Sequence, residues 1–291
     1  MEKVISVKLQ TYQFNCLLER YASSKDSQHG FVKRVLFNKF VNIYEKVTNY
    51  LDSGYPVDVI YLDFQKAFNK VPHKRLLMKL QVYGIDEELI RWIKGRLYQV
   101  EDKEFAIDGQ YSSWIDVLSG VPQGSVLGQP FFVIFINDID ESLGCNILKF
   151  ADDTKIYQEI KSPQGVARLQ EDLANLTAWS NDWQMLFNVE KCKVMHMGNN
   201  TCHGYSSNGS KLESVSEEKD LGVHISNDLK WEKQCSQAVA EANKVLGLIK
   251  RNFADRSKET IILLYKCLVK PHLEYCCPIW NPHYIKNIKL V

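Results

Sequence analysis

The segment Ile147–Tyr157 constrains this chain more than any other. Apolar residues flank an adjacent pair of aspartates, Asp152 and Asp153. Short apolar runs on both sides of a polar turn predict a β-hairpin with the acidic pair at its tip. Aspartates in a turn are ordinarily solvated. Here a second predicted strand, Val57–Phe64, changes the odds: it is rich in β-branched and aromatic residues and carries Asp58 near its start and Asp63 near its end. Phosphoryl transfer to a nucleotide uses two divalent cations roughly 3.5–4 Å apart, one at the attacking hydroxyl and one at the leaving phosphate. Hard cations such as magnesium take carboxylate oxygens. Carboxylates at the ends of two strands that meet are candidates for such a centre. Successive side chains on a strand point to opposite faces, so Asp152 is the expected main partner of Asp63, with Asp153 turned inward by the bend.

The rest of the chain alternates helices and strands irregularly. Helical spacing covers 35–52 through Leu36, Phe40, Ile43, Val47 and Leu51. Helices are expected at 74–83 and 87–97, the second capped by Asp86, and over Phe131–Leu143 with Pro130 in its first turn. Trp114–Leu118 reads as a strand. Ser162-Pro163 opens an amphipathic helix with Val166, Leu169, Leu173, Leu176, Trp179 and Trp183 on one face. Lys191–Met197 and Leu221–Ile225 read as strands, and the Ser-, Asn- and Gly-rich stretch 198–216 as an exposed loop. Helices follow at about 230–251 and 257–270, the second ended by Lys270-Pro271. The pattern predicts an α+β body with a smaller helical appendage. With 45% apolar residues in 291, a sizeable core is expected. The net charge of +1 does not by itself announce a nucleic-acid partner. Eight cysteines without a C-x-x-C pair predict reduced thiols in an intracellular protein, nuclear or cytoplasmic. No secretory signal or membrane-spanning run is visible, so no membrane partner is expected.

Three segments, taken together, resemble a known family. Tyr61-Leu62-Asp63-Phe64-Gln65-Lys66-Ala67-Phe68, Ser119-Gly120-Val121-Pro122-Gln123-Gly124-Ser125-Val126-Leu127-Gly128 and Phe150-Ala151-Asp152-Asp153-Thr154 are similar to the three central motifs of reverse transcriptases. The flavour is that of LINE-type (non-LTR) retrotransposons, in the chicken-repeat and jockey-like groups. Gln28-His29-Gly30-Phe31, Val71-Pro72-His73, Ile136-Asn137-Asp138, Trp183 through Lys191-Cys192, and Lys219-Asp220-Leu221-Gly222-Val223 agree with it in order. The resemblance implies a right-hand fold: an N-terminal segment and partial fingers over 1–56, fingers and an antiparallel palm over 57–226, and a partial α-helical thumb over 227–291. It implies an RNA-directed DNA polymerase that joins a deoxynucleoside triphosphate to a primer 3′-OH on an RNA template. Two Mg²⁺ ions, with Mn²⁺ as a substitute, are expected on Asp63, Asp152 and Asp153. By the same resemblance the Phe64 carbonyl assists at the metals and Phe68 closes over the sugar to exclude a 2′-OH. Gln123 and Gly124 touch the nucleotide and template, Lys191 protonates the pyrophosphate leaving group, and Lys33 and Arg34 grip the triphosphate.

The sequence also departs from the family. Val32-Lys33-Arg34-Val35-Leu36-Phe37 replaces a small-residue and Arg-Ser-Cys run, Asn69 stands where an Asp is usual, and Gln129-Pro130 replaces Pro-Leu. No endonuclease domain is recognisable upstream, and Val291 falls inside the helical region, so a truncated copy of a longer reading frame is expected. The competing expectation is a catalytically inactive, decayed remnant that only binds nucleic acid. The three intact aspartates favour the polymerase. The oligomeric state is left open.

Overall fold

The structure, a computed structural model, describes residues 36–98, 106–107, 110–111, 116–122, 127–198 and 202–291. In chain order the elements are helix α1 (Leu36–Asp52), strand β1 (Val57–Leu62), helices α2 (Ala67–Lys70), α3 (His73–Val82) and α4 (Glu87–Tyr98), and the paired strands β2 (Ala106–Ile107) and β3 (Gln110–Tyr111). Helix α5 (Gly128–Ile136), the hairpin β4 (Asn146–Phe150) and β5 (Asp153–Glu159), helix α6 (Pro163–Asp182) and strand β6 (Lys193–Met197) follow. Five short strands come next: β7 (Ser206–Ser207), β8 (Ser210–Lys211), β9 (Glu213–Ser214), β10 (Glu217–Asp220) and β11 (Val223–Ser226). The chain then runs through α7 (Glu232–Asn252), α8 (Lys258–Leu264), a π-helical turn Tyr265–Val269, α9 (Lys270–Glu274), α10 (Cys277–Trp280) and α11 (Ile285–Leu290). Among the described residues no helix is long and apolar enough to cross a membrane.

One five-stranded sheet has the order β4-β5-β1-β6-β9. Strand β1 is its middle member, and Val57, Asp58, Val59, Ile60 and Leu62 are all buried. A strand covered on both faces reads as a continuous apolar run, as Val-Asp-Val-Ile-Tyr-Leu nearly does. The exception, Asp58, is wholly buried and accepts a 2.6 Å hydrogen bond from the Tyr205 hydroxyl. Burial, then the Asp58 bond, pushes the Tyr205 hydroxyl's pKa up.

The chain divides into two compact units. One is built on Asp58–Val194 and Cys202–Glu213, the other on Phe37–Val57, Met195–Thr201 and Ser214–Val291. The core of the first joins Ile60, Leu62 and Phe64 to Leu76, Leu80, Ile93, the α5 residues Phe131, Phe132, Phe135 and Ile136, and Leu169, Leu173 and Leu176 of α6. In the second, Ala242, Ile249 and Val269 pack with Val245, Leu246, Leu264 and Leu273, and the Tyr44 hydroxyl donates to Asp220 at 2.7 Å.

Several expected elements differ. The helix expected over Phe131–Leu143 starts at Gly128 and stops at Ile136. Its end is set by two buried lysines: Lys79 Nζ donates to the Phe135 carbonyl and Lys149 Nζ to the Asn137 carbonyl, taking oxygens that a continuing helix would use. The expected strand Trp114–Leu118 is not formed over the described part, 116–118. The stretch 198–216 is not a plain exposed loop. Tyr205 and Leu212 are in the core, joined by the hydrogen bond from Leu212 N to Tyr205 O, and β9 enters the sheet. Pro271 does not end a helix. The π turn Tyr265–Val269 widens the backbone ahead of it, and α9 begins at Lys270 with the proline in its first turn, where a missing N–H costs little.

Candidate active site

The carboxylates sit at the ends of neighbouring strands. Asp63 directly follows β1, Asp153 opens β5, and β1 and β5 are hydrogen-bonded neighbours. The hairpin register pairs Phe150 with Asp153, which leaves Ala151 and Asp152 as the two loop residues. Ala151 has φ 52° and is buried. A left-handed alanine costs on the order of 1–2 kcal/mol, so the tip is held in shape by its surroundings and not by its own preference. Asp152 is half-buried and Asp153 exposed.

A second contact brings Lys191 to Asp63. The backbone after β1 pairs with the segment before β6: Asn188 N donates to Asp63 O at 2.7 Å, Gln65 N to Leu186 O at 2.8 Å, and Phe64 bridges Phe187. A turn closed by Lys191 N to Asn188 O at 2.9 Å returns the chain toward Asp63. Lys191 Nζ then lies 3.2 Å from Asp63 Oδ2, the side chains 69% and 36% exposed. At that exposure the pair contributes about 0–1 kcal/mol and exchanges readily. Cys192 beside it is buried, and burial pushes its thiol up to about 11, so it stays protonated at neutral pH. All seven described cysteines are free.

The structure therefore gathers Asp63 with Lys191 and sets Asp152 and Asp153 at the start of the adjoining strand. It does not cluster the three carboxylates. Among the described residues no group of three or more His, Cys, Asp or Glu stands ready to hold a metal ion. The donor set itself, carboxylate oxygens with an ammonium already drawn to one of them, suits a hard divalent cation.

Phe64 and Phe68 divide their roles. The Phe64 ring is buried and stacks on Phe187, with centroids 4.6 Å apart and planes at 22°, so only its backbone is available to a ligand. Phe68 is half-buried and stacks on Phe132 at 4.6 Å and 23°. Gln123, Gly124, Lys33 and Arg34 lie outside the described residues. Sequence reasoning gave no role to His73, whose Nε2 donates to the Gly120 carbonyl at 2.7 Å. The signal was present in Val71-Pro72-His73, but nothing in the sequence showed what the ring would reach.

Known proteins resemble this chain in sequence and in fold. The family model described as "Reverse transcriptase (RNA-dependent DNA polymerase)" matches residues 1–248. The chain is 29% identical to the RNA-directed DNA polymerase from mobile element jockey of Drosophila melanogaster, over 76% of this chain and 25% of that protein. It is 23% identical to the probable RNA-directed DNA polymerase from transposon X-element of the same fly, over 100% of this chain and 33% of that protein. It thus spans about a quarter to a third of these relatives. Among solved structures, telomerase from Candida tropicalis in complex with a TWJ fragment of telomeric RNA superposes with a TM-score of 0.56 at 14% identity. That match covers 92% of this chain and 45% of telomerase. At that identity the likeness speaks for the fold alone, and it is the polymerase fold expected from the motifs.

Proposed function

Because the chain belongs to the reverse transcriptase (RNA-dependent DNA polymerase) family, we propose that it is the polymerase domain of a non-LTR retrotransposon, adding deoxynucleotides to a DNA primer on an RNA template. Reverse transcriptases use divalent metal ions. In this reading Asp63, Asp152 and Asp153 hold two of them, Mg²⁺ first and Mn²⁺ as a substitute. The ions supply activation of the primer hydroxyl and charge neutralisation on the triphosphate.

The chain's own residues do the rest. Asp63 is fixed through its backbone by Asn188, so its carboxylate has a rigid base from which to hold a cation. Lys191, at 3.2 Å from Asp63 in an exposed pair, would offer its proton to the leaving pyrophosphate. Phe68, half-buried with one face on Phe132, rejects a 2′-OH by contact in this reading. Gln123 and Gly124 touch nucleotide and template, and Lys33 and Arg34 take triphosphate oxygens, as the motifs imply. The observation that carries the reading is the adjacency of β1 and β5: Asp63 directly follows the first and Asp153 opens the second.

The test is primer extension by the purified chain on a defined RNA template with Mg²⁺ and all four deoxynucleotides. Template-directed product is expected, and its loss on adding a chelator. A well-folded sample that binds the hybrid but extends nothing, with either metal, would favour the inactive remnant.

A further inference from the structure

Two stretches of backbone that flank the site are laced together without forming a regular sheet. Val121 N donates to Phe68 O at 2.8 Å, Gly120 N to Val71 O at 2.9 Å, and His73 N to Leu118 O at 3.1 Å. Ser119 Oγ donates to Asn69 O at 3.2 Å, and Pro72 forms an isolated bridge with Ser119. Across this lacing lies one side chain. The His73 ring, 2% exposed, donates from Nε2 to Gly120 O at 2.7 Å. Gly120 has φ +104°, and a Cβ there would meet Asn69 O at 3.2 Å, so the loop passes too close for a side chain of its own.

His73 is the first residue of α3, whose Leu76 and Leu80 are wholly buried. The ring is therefore a post on a rigid helix. A histidine buried at a helix start is most often a stabilising core residue. This one bonds instead to a loop that is tied, one residue on, to the carbonyl of Phe68.

We infer that His73 is a positioning residue for sugar selection: through Gly120 it holds Ser119–Val121, and through the Val121–Phe68 bond it fixes where the Phe68 ring stands. The inference rests on the polymerase reading above. If the His73 bond is lost, Phe68 remains stacked on Phe132 but its backbone is free to shift, and a gate that works by contact loosens.

Two amides separate the role of the ring from that of its N–H. The glutamine Nε2 reaches about as far as the histidine Nε2, whereas the asparagine amide is too short. The readouts are kcat and KM for one deoxynucleotide and for its ribonucleotide counterpart, in single-nucleotide extension on RNA. His73→Gln should keep the wild-type preference. His73→Asn should retain kcat for the deoxynucleotide within a few-fold but narrow the preference by about tenfold, the weight of one hydrogen bond. Hydrogen exchange supplies an arm that does not need activity: amides over 118–122 should exchange faster in His73→Asn than in His73→Gln, with α3 unchanged. An unaltered preference in a folded His73→Asn enzyme would overturn the inference, as would equal exchange over 118–122 in the two variants. Absence of extension by the wild type would sink the polymerase reading instead, and the exchange comparison would still decide whether His73 holds the loop.

Discussion

Lys79 sits where a helical lysine is rarely found. It is 3% exposed, donates to Asp138 Oδ1 at 2.6 Å and to the Phe135 carbonyl, and lies 3.8 Å from the Trp183 ring centroid. Trp179 Nε1 donates to the same Asp138 oxygen at 3.1 Å. Burial pulls the Lys79 pKa from 10.5 down to about 8, against the opposing pull of Asp138. Between those values the unfolded chain keeps a proton that the folded chain has released, so this group's contribution to stability rises with pH across that window. The displacement corresponds to about 3 kcal/mol. Denaturant titrations of wild type and Lys79→Met at pH 7.5 and pH 10 should therefore show the difference moving in favour of wild type at the higher pH. A difference that stays flat would mean the ammonium is better solvated than its burial implies. None of this was legible in the sequence, because the α3 pattern marks Lys79 as one more polar position. Its burial is decided by Trp179, Trp183 and Asp138, more than 50 residues away. Asp63, Asp152 and Lys191 were singled out by motif alone, and the structure sets Lys191 beside Asp63 and Asp152 in the loop before the neighbouring strand.

At the scale of elements, periodicity served where one face of a helix meets the core. Helix α1 and helix α6 run Leu36–Asp52 and Pro163–Asp182, close to the expected 35–52 and the helix opened by Ser162-Pro163. It failed where burial rests on single residues. Tyr205 and Leu212 are isolated among Ser, Asn and Gly, and Tyr205 is buried in the core with its hydroxyl on the distant Asp58. The β10–β11 hairpin was half seen: Leu221–Ile225 was expected as strand, but Leu221 (φ 46°) and Gly222 (φ 84°) form its two-residue turn. Two successive positive φ values are the mark of a type I′ turn, which matches the twist of the strands it joins. The turn is also packed, since Tyr275 donates to Leu221 O at 2.8 Å and a Cβ at Gly222 would lie 3.3 Å from the Tyr275 ring. Gly222→Ala should cost about 1–2 kcal/mol through the backbone alone, read as a lower denaturation midpoint. Leu221→Asn should raise the midpoint slightly, because asparagine tolerates the left-handed region. If Gly222→Ala left the midpoint unchanged, the turn would have to adopt another form in solution.

Over the whole molecule, 36 basic and 35 acidic residues nearly cancel, so the proposed binding to a hybrid duplex would depend on local charge. Lys230, Lys233 and Lys244 are paired with Asp228, Glu217 and Glu241 in exposed ion pairs. Such pairs contribute little and release their lysines to phosphate at small cost. Affinity for primer–template should then fall steeply with salt, by about one power in salt concentration for each phosphate contact, as fluorescence anisotropy at 50 to 300 mM salt would read. A flat response would argue against a nucleic-acid partner. The most direct test of the central claim, that carboxylates at the ends of two neighbouring strands carry nucleotidyl transfer, compares wild type with Asp152→Asn in single-turnover primer extension. Hybrid binding is measured on the same samples. Extension should fall by about a thousandfold, since several kcal/mol of charge stabilisation is lost, while affinity and melting temperature stay near wild type. Extension at a wild-type rate by Asp152→Asn would place the chemistry elsewhere in the chain.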